Sequence, residues 1–388
     1  MSNNIQFTLP QRLFSTSSSS TILKCIDCHA GGEPARVVFS GVPQLPSTCT
    51  TALLKRNYMM EQLDHLRKIL LLEPRGYPCQ NVNFVFQSLK YQDERVSGSD
   101  GGSIENNTGI QYVIGEQNKI YPLMSGHNTI CVATALLECG IIKITEPISQ
   151  FTIESPAGPI DITASCSRGK TTSILLKNTP SFVEKLDVIV NVPQGVGPVK
   201  VDIAYGGMWY AVVDVKQFLT NPALKHNHIE LKESCASQLC KIGEMIKVAC
   251  REQFPVQHPV VDYPGVDIMV WRDEENSRNT VVMSNNKLDW NKPDTWTGML
   301  DRSPCGTGTC AVMSVLHARG KLKVGESFVH ESIIGTRFTG TILKELSVAG
   351  RPAILPQIEG SAYITQYSEV VVDSQDPFPE GFQVKDIW

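Results

Sequence analysis

The pattern of apolar and polar positions repeats at about half the length of the chain. The segment Asp27–Val38 reads as a strand, a Gly-Gly turn and a strand, and it matches Asp202–Val213, about 175 residues farther on. A second pair of segments begins at Ser125 and at Cys305, with a similar offset. Each member has a Gly-containing turn, apolar residues at helical spacing and a terminal glycine. The repeat predicts an α/β fold of two similar halves, each with a buried helix entered from a tight loop.

The first half is predicted to span residues 22–195 and the second residues 198–345. The tail, 350–388, alternates apolar and polar residues in places. It could add edge strands to either half, and we assign it to the first. Residues 1–21 are mostly polar and Ser-rich, which predicts a disordered leader; with only one basic side chain, Arg12, an import signal is the less favoured interpretation.

Composition and charge favour a soluble globular enzyme. The chain has 388 residues, 41% of them hydrophobic and 19% charged, with 35 Lys and Arg against 39 Asp and Glu. No basic run typical of nucleic-acid binding appears, so nucleic acid is not an expected partner. The apolar stretches are shorter than the roughly 20 residues that a membrane span needs, so no membrane association is expected.

The twelve cysteines are scattered along the chain, which is typical of reduced thiols in a cytoplasmic protein. Cys25 and Cys28 form one C-x-x-C, but no second pair follows at zinc-site spacing. We therefore interpret both as strand thiols and expect no metal. The sequence also has no phosphate-loop or dinucleotide fingerprint, so no cofactor is predicted.

The repeat places Ser125 and Cys305 at equivalent positions, facing one another across a pseudo-twofold axis. Both would lie at helix N-termini, where unpaired backbone N–H groups and the helix dipole favour negative charge. This predicts a lowered pKa for the thiol of Cys305. The backbone amides predicted to hold a substrate carboxylate are those of Gly126, His127, Gly306 and Thr307. Two proton carriers on opposite faces of one carbon would remove its proton and return another, which inverts the stereocentre.

The residues alone leave other interpretations open. Cys305 could be a buried small apolar residue and Ser125 an ordinary helix cap. His127 could fix the loop or shuttle protons, and with Cys305 it could form the catalytic pair of a thiol hydrolase. The symmetry of Ser125 and Cys305 favours the two-base interpretation over these.

The chain resembles the proline racemase family, which includes proline racemases, 4-hydroxyproline 2-epimerases and trans-3-hydroxyproline dehydratases. The resemblance extends from about Ile26 to Ile364. The motifs that carry it are His29–Pro34, Glu73–Gly76, Met124–Asn128, Asp202–Gly207, Asp301–Thr309 and Glu331–Gly335.

The resemblance implies a diaminopimelate-epimerase-like fold of two α/β halves, with the active site in the cleft between them. It also implies no metal or pyridoxal phosphate, a proline-type substrate and a homodimer. By position, Ser125 and Cys305 become the catalytic acid and base. Asp301 becomes the ligand of the ring nitrogen, and His127 supports the Ser125 side. The substrate-binding residues implied in this way are Gly126, His127, Asn128, Asp267, Asp301, Gly306 and Thr307.

Two departures from the family pattern bear on the substrate. Proline racemases pair two cysteines, and the dehydratases pair a first-position Cys with a second-position Thr, whereas this chain has Ser125 and Cys305. Members with Ser at the first position are associated with 4-hydroxyproline, so we expect a 4-hydroxyproline 2-epimerase. The second departure, Tyr77–Gln80 after the Glu73–Gly76 motif, leaves room for another modified proline. Trans-3-hydroxyproline dehydration, proline racemisation and a non-catalytic binding protein remain as alternatives.

Overall fold

The computed structural model describes residues 21–88 and 107–384. Apart from Thr21, the leader expected over residues 1–21 lies outside the described residues. The strands are β1 (Thr21–Ala30), β2 (Glu33–Ser40), β3 (Asn81–Gln87), β4 (Asn107–Gly115), β5 (Ile148–Ser155), β6 (Gly158–Ser167), β7 (Lys170–Lys177), β8 (Phe182–Val192), β9 (Gly197–Tyr205), β10 (Trp209–Asp214), β11 (Ile268–Asp273), β12 (Arg278–Met283), β13 (Met299–Leu300), β14 (Ser327–Glu331), β15 (Arg337–Val348), β16 (Arg351–Gly360) and β17 (Ala362–Val372). The helices are α1 (Ala52–Gln62), α2 (Asp64–Leu71), α3 (Gly126–Glu138), α4 (Lys216–Thr220), α5 (Ala236–Gln253) and α6 (Gly306–Ala318). Short 3₁₀ turns occupy Gln117–Lys119, Lys225–Asn227, Glu233–Cys235 and Pro293–Thr295.

Strand pairing makes one continuous sheet, and the strands of the two halves follow the same arrangement when they are counted from opposite ends of it. The order is β17-β1-β2-β3-β4-β5-β6-β7-β16-β15-β14-β12-β11-β10-β9-β8, and β13 adds to β12. The β2–β3 and β4–β5 pairs are parallel, and so are their counterparts β10–β11 and β12–β14; the other pairs in this order are antiparallel. The symmetry centre is the antiparallel β7–β16 pair. The expected fold of two similar α/β halves is confirmed, but β8 pairs with β9 of the second half, so the boundary predicted at residue 195 lies too late in the chain.

The two strands of the tail, β16 and β17, occupy different positions in the sheet. β17 extends the first half as an edge strand beside β1, as the alternation of its residues suggests. β16, which was assigned to the first half with the rest of the tail, instead lies at the centre of the sheet as part of the second half, paired with β15 of that half and with β7 of the first. Ala353, Ile354 and Ile358 of β16 are buried, whereas Glu359 is exposed, so one face of the strand packs on the core and the other is more open to solvent.

One buried helix lies inside each half. All residues of α3 except its last, and eleven of the thirteen in α6, are buried. Helix α3 contacts β1, β7 and β17, and α6 contacts the equivalent strands β9, β16 and β8. Each half therefore curls around its own helix. Gly140 and Gly320 follow the two helices with φ of 73° and 69°, the left-handed conformation of a helix stop.

The two buried helices meet at their first residues. A Cβ atom added to Gly126 would lie 2.6 Å from the Cα of Gly306, and one added to Gly306 would lie 2.7 Å from the Cα of Gly126. Real Cβ contacts are not that short, and the atoms in conflict are backbone atoms of buried helices. Only glycine therefore allows this approach.

We expect Gly306→Ala to destabilise the fold by about 1–3 kcal/mol, because the helix starts must move apart. Thermal unfolding measures the loss. The matched control is Gly320→Asn, where nothing lies within 4 Å of an added Cβ and asparagine tolerates positive φ. Equal, small losses in both variants would show that the helix starts are not in tight contact in solution.

Candidate active site

The contact between the first residues of α3 and α6 brings the residues that precede them, Ser125 and Cys305, to one place between the two halves. Ser125 has extended backbone with φ of −146°, and Cys305 has φ of 59°, which residues other than glycine rarely adopt. Such strain, of order 1–3 kcal/mol, concentrates at functional sites. Both side chains are buried. The N–H groups of both first helical turns converge here, so two positive dipole ends favour an anion such as a carboxylate.

On the α3 side, the hydroxyl of Ser125 accepts a hydrogen bond from Nδ2 of Asn128, at 3.0 Å. The orientation of Asn128 is fixed because its Oδ1 accepts from Nδ2 of Asn83 at 2.7 Å. Nδ1 of His127 lies 3.3 Å from the same Ser125 oxygen. The predicted residues Ser125, His127 and Asn128 therefore form one hydrogen-bonded group.

Burial lowers the pKa of His127 to about 3, so its ring is neutral. Nδ2 of Asn81 lies 3.3 Å from Nε2 of His127. Since an amide nitrogen donates, Nε2 accepts, and the ring hydrogen is on Nδ1, directed at Ser125. The Ser125 oxygen thus faces two donors, which stabilise negative charge on it.

On the α6 side, Sγ of Cys305 lies 3.3 Å from the hydroxyl of Tyr210, which is 2.6 Å from Oγ1 of Thr307. The sulfur also packs against Gly308, where an added Cβ would lie 3.2 Å from it. Tyr210 is fully buried on β10. The thiol is therefore held between β10 and the first turn of α6.

The pKa of Cys305 is shifted in the direction opposite to the one expected from the sequence. Burial raises it well above its ordinary value, and the charge of Asp301 raises it further. Hydrogen bonds from Tyr210, from the Gly308 N–H and from Thr307 oppose the shift without reversing it. The prediction of a lowered pKa was wrong because the cost of burying a thiolate exceeds what the helix N-terminus supplies.

Two buried acids lie close to Cys305. Asp301 interacts with the thiol and accepts a 2.7 Å hydrogen bond from the N–H of Ser303. Glu33, from the other half, accepts from the N–H of Arg302 at 2.7 Å. Burial raises the pKa of Asp301 to about 6, and burial together with Asp301 raises that of Glu33 well above its ordinary range. Such a pair suits a cationic group, which would relieve the repulsion between them.

Asp267 is partly buried, and its desolvation raises its pKa to about 6. Its carboxylate accepts from the hydroxyl of Tyr263 and, at 3.5 Å, from the N–H of Trp209. In the described part of the chain it has no hydrogen bond to another residue of the expected site. A substrate-facing role for Asp267 stays a prediction.

Several site residues were not identified from the sequence: Glu33, Asn81, Asn83 and Tyr210. Glu33 lies in the His29–Pro34 motif, directly after the Gly-Gly turn, and that position was the available signal. The other three come from β3 and β10, and nothing in the local pattern marks them.

The described residues contain no group of three or more His, Cys, Asp or Glu side chains suited to hold a metal ion. Cys25 and Cys28 both lie in β1 as free thiols. Within residues 21–88 and 107–384, no helix combines the length and apolar character needed to cross a bilayer.

Comparison with known proteins supports the resemblance. A family model described as proline racemase matches residues 25–383. The chain is 35% identical to the 4-hydroxyproline 2-epimerase of Rhizobium etli over 370 residues, covering 94% of this chain and 96% of that protein. It is 34% identical to the proline racemase of Clostridioides difficile over 378 residues, covering 94% and 99%.

A solved structure is similar over nearly the full length. The hydroxyproline epimerase of Agrobacterium vitis, with bound trans-4-hydroxy-L-proline, has a TM-score of 0.79 and 33% identity, covering 95% of this chain and 97% of that one. Sequence and fold therefore agree over both halves, and the chain belongs to the proline racemase family.

Proposed function

We propose that this protein is a cofactor-independent epimerase that inverts Cα of 4-hydroxyproline or a related proline-type imino acid. The observation that carries the proposal is the contact of Gly126 with Gly306, since it brings Ser125 and Cys305, from opposite halves, to one cleft. The similarity to a 4-hydroxyproline 2-epimerase and to a hydroxyproline-bound structure supports the substrate class.

The charges of the site suit a zwitterion. The free N–H groups at the starts of α3 and α6, those of Gly126, His127, Gly306 and Thr307, would receive the substrate carboxylate. Asp301 would receive the ring ammonium, with Glu33 near it. This placement would leave Cα between the two proton carriers.

Before the reaction, one of the two proton carriers must be deprotonated, so that it can take the Cα proton, and the other must be protonated, so that it can donate one. A serine hydroxyl ionises less readily than a thiol, so the working form has a hydroxyl at Ser125 and a thiolate at Cys305. The thiolate takes the Cα proton, and Ser125 gives its proton to the opposite face. His127 and Asn128 then stabilise the serine oxygen by the hydrogen bonds described above. The reverse reaction follows the same steps backwards.

Substrate binding would assist formation of the thiolate. Asp301 holds the pKa of Cys305 up by its negative charge. A ring ammonium beside Asp301 neutralises that charge, so the pKa of Cys305 falls when the substrate binds. The expected homodimer and cytoplasmic location stay predictions, and the mechanism does not depend on either.

Product analysis in deuterated water tests the proposed function. We expect trans-4-hydroxy-L-proline to acquire one deuterium at Cα with inverted configuration and an intact ring. Cys305→Ser and Ser125→Ala are each expected to reduce the rate by about 100-fold to 10,000-fold, because each removes one proton carrier. Loss of water from trans-3-hydroxy-L-proline would indicate the dehydratase instead. Unchanged exchange in Cys305→Ser would contradict the mechanism, and absence of exchange with every proline isomer would favour a binding protein.

Asp301→Asn tests the electrostatic link to the thiol. Removing a negative charge favours the thiolate, so we expect the pKa of Cys305 in the free enzyme to fall while epimerisation is lost. Alkylation of the Cys305 peptide, followed by mass spectrometry across a pH series, measures this pKa separately from the other eleven cysteines. Asp267→Asn is the matched control, since Asp267 is not among the main causes of the shift of Cys305. A pKa of Cys305 that is unchanged in Asp301→Asn would remove Asp301 from this role.

A further inference from the structure

Glu116 is a buried acid that the mechanism above does not use. It directly follows β4, which pairs in antiparallel register with β3: Gly115 lies opposite Val82, and Ile114 opposite Asn83. Glu116 keeps extended backbone beyond the last pair, with φ of −117°, so its side chain follows the alternation of β4 and points to the same face as Ile114. Ile114 lies opposite Asn83, and residues opposite one another in an antiparallel pair point to the same face. Since Asn83 holds Asn128, which donates to Ser125, the side chain of Glu116 lies on the face that carries the site.

Among residues 21–88 and 107–384, the carboxyl of Glu116 has neither a hydrogen-bond donor nor a cation as a partner. The residue is 6% exposed, and among the described residues no donor or cation contacts its carboxylate oxygens. Arg67 is nearby, but it donates to the main-chain oxygen of Glu116 and pairs its guanidinium with Asp64 at 2.7 Å.

The other acids of the site differ in this respect. Asp301 accepts from Ser303, Glu33 accepts from Arg302, and Asp267 accepts from Tyr263. A buried acid without a hydrogen bond destabilises the folded protein. Its presence beside a substrate cleft is therefore typical of a group whose partner is a ligand.

Charges from the opposite half act on Glu116. Burial raises its pKa to about 8, and the carboxylates of Asp301 and Asp267 add to the shift. Both belong to the second half, whereas Glu116 belongs to the first. The carboxylates of Asp301 and Asp267 therefore lie close enough to Glu116 to act on it from the other half.

We propose that Glu116 is a specificity-determining residue that hydrogen-bonds a hydroxyl on the substrate ring. This inference rests on the proposed function. The helix amides account for the carboxylate of a hydroxylated proline, and Asp301 accounts for its nitrogen. The ring hydroxyl is then the remaining polar group of the substrate, and Glu116 is a buried acid on the site face that has no partner in the described part of the chain.

The test compares binding of trans-4-hydroxy-L-proline and L-proline by calorimetry, in the Cys305→Ser background so that turnover does not interfere. Replacing Glu116 by Leu should weaken binding of hydroxyproline by about 10-fold to 100-fold, because the ring hydroxyl loses its acceptor. Binding of proline should be unchanged or tighter. Glu116→Gln keeps the shape and a hydrogen-bonding group, and should give an intermediate loss.

A pH series adds a readout that a structural role would not produce. Glu116 is protonated below about pH 8 and ionised above it, and a carboxylate accepts a stronger hydrogen bond than a neutral acid. The preference for hydroxyproline over proline should therefore rise from pH 7 to pH 9 with Glu116 and stay level in Glu116→Gln.

Equal losses for both amino acids, or a preference that is unchanged by Glu116→Leu, would overturn the inference. Neither result bears on epimerisation, which is measured in the protein with Cys305 intact. Failure of that protein to exchange the Cα proton would count against the proposed function, while the binding preference would still decide the role of Glu116.

Discussion

The close approach of Gly126 and Gly306 is the constraint on which the rest of the structure depends. Two helix N-termini carry like partial charges and do not associate on their own. Burial of both helices inside curled half-sheets, with the halves joined through the β7–β16 pair, holds them together. The resulting concentration of positive potential favours an anion, although no side chain among the residues of the expected site is cationic.

Opposite charge is supplied by acids at the other side of the same site. Glu33 and Asp301 are buried, mutually repelling and hydrogen-bonded by backbone N–H groups. Backbone dipoles on one side and carboxylates on the other match an amino acid, which carries one charge of each sign. The charged groups of the site and those of the ligand compensate one another for the loss of hydration, so this buried site can accept a zwitterionic ligand.

The sequence predicts those features that local pattern and the repeat determine. The Gly-Gly turns, the two buried helices and the equivalence of Ser125 with Cys305 follow from matched segments of the chain. Asn81, Asn83 and Tyr210 were missed because strands distant in sequence must pair before these side chains reach the helix starts. The direction of the shift in the pKa of Cys305 was predicted wrongly for a related reason. A helix N-terminus is visible in the sequence, whereas the depth of burial is a property of the assembled sheet.

The path of the chain between β7 and β8, and again between β16 and β17, has a mechanical consequence. Strands β7 and β17 belong to the first half, and β8 and β16 to the second, so the polypeptide passes from one half to the other at two places. These two covalent crossings, together with the hydrogen bonds of the β7–β16 pair, oppose sliding of one half past the other. The relative position of Ser125 and Cys305 is therefore set by the covalent path of the chain as well as by the packing of α3 against α6.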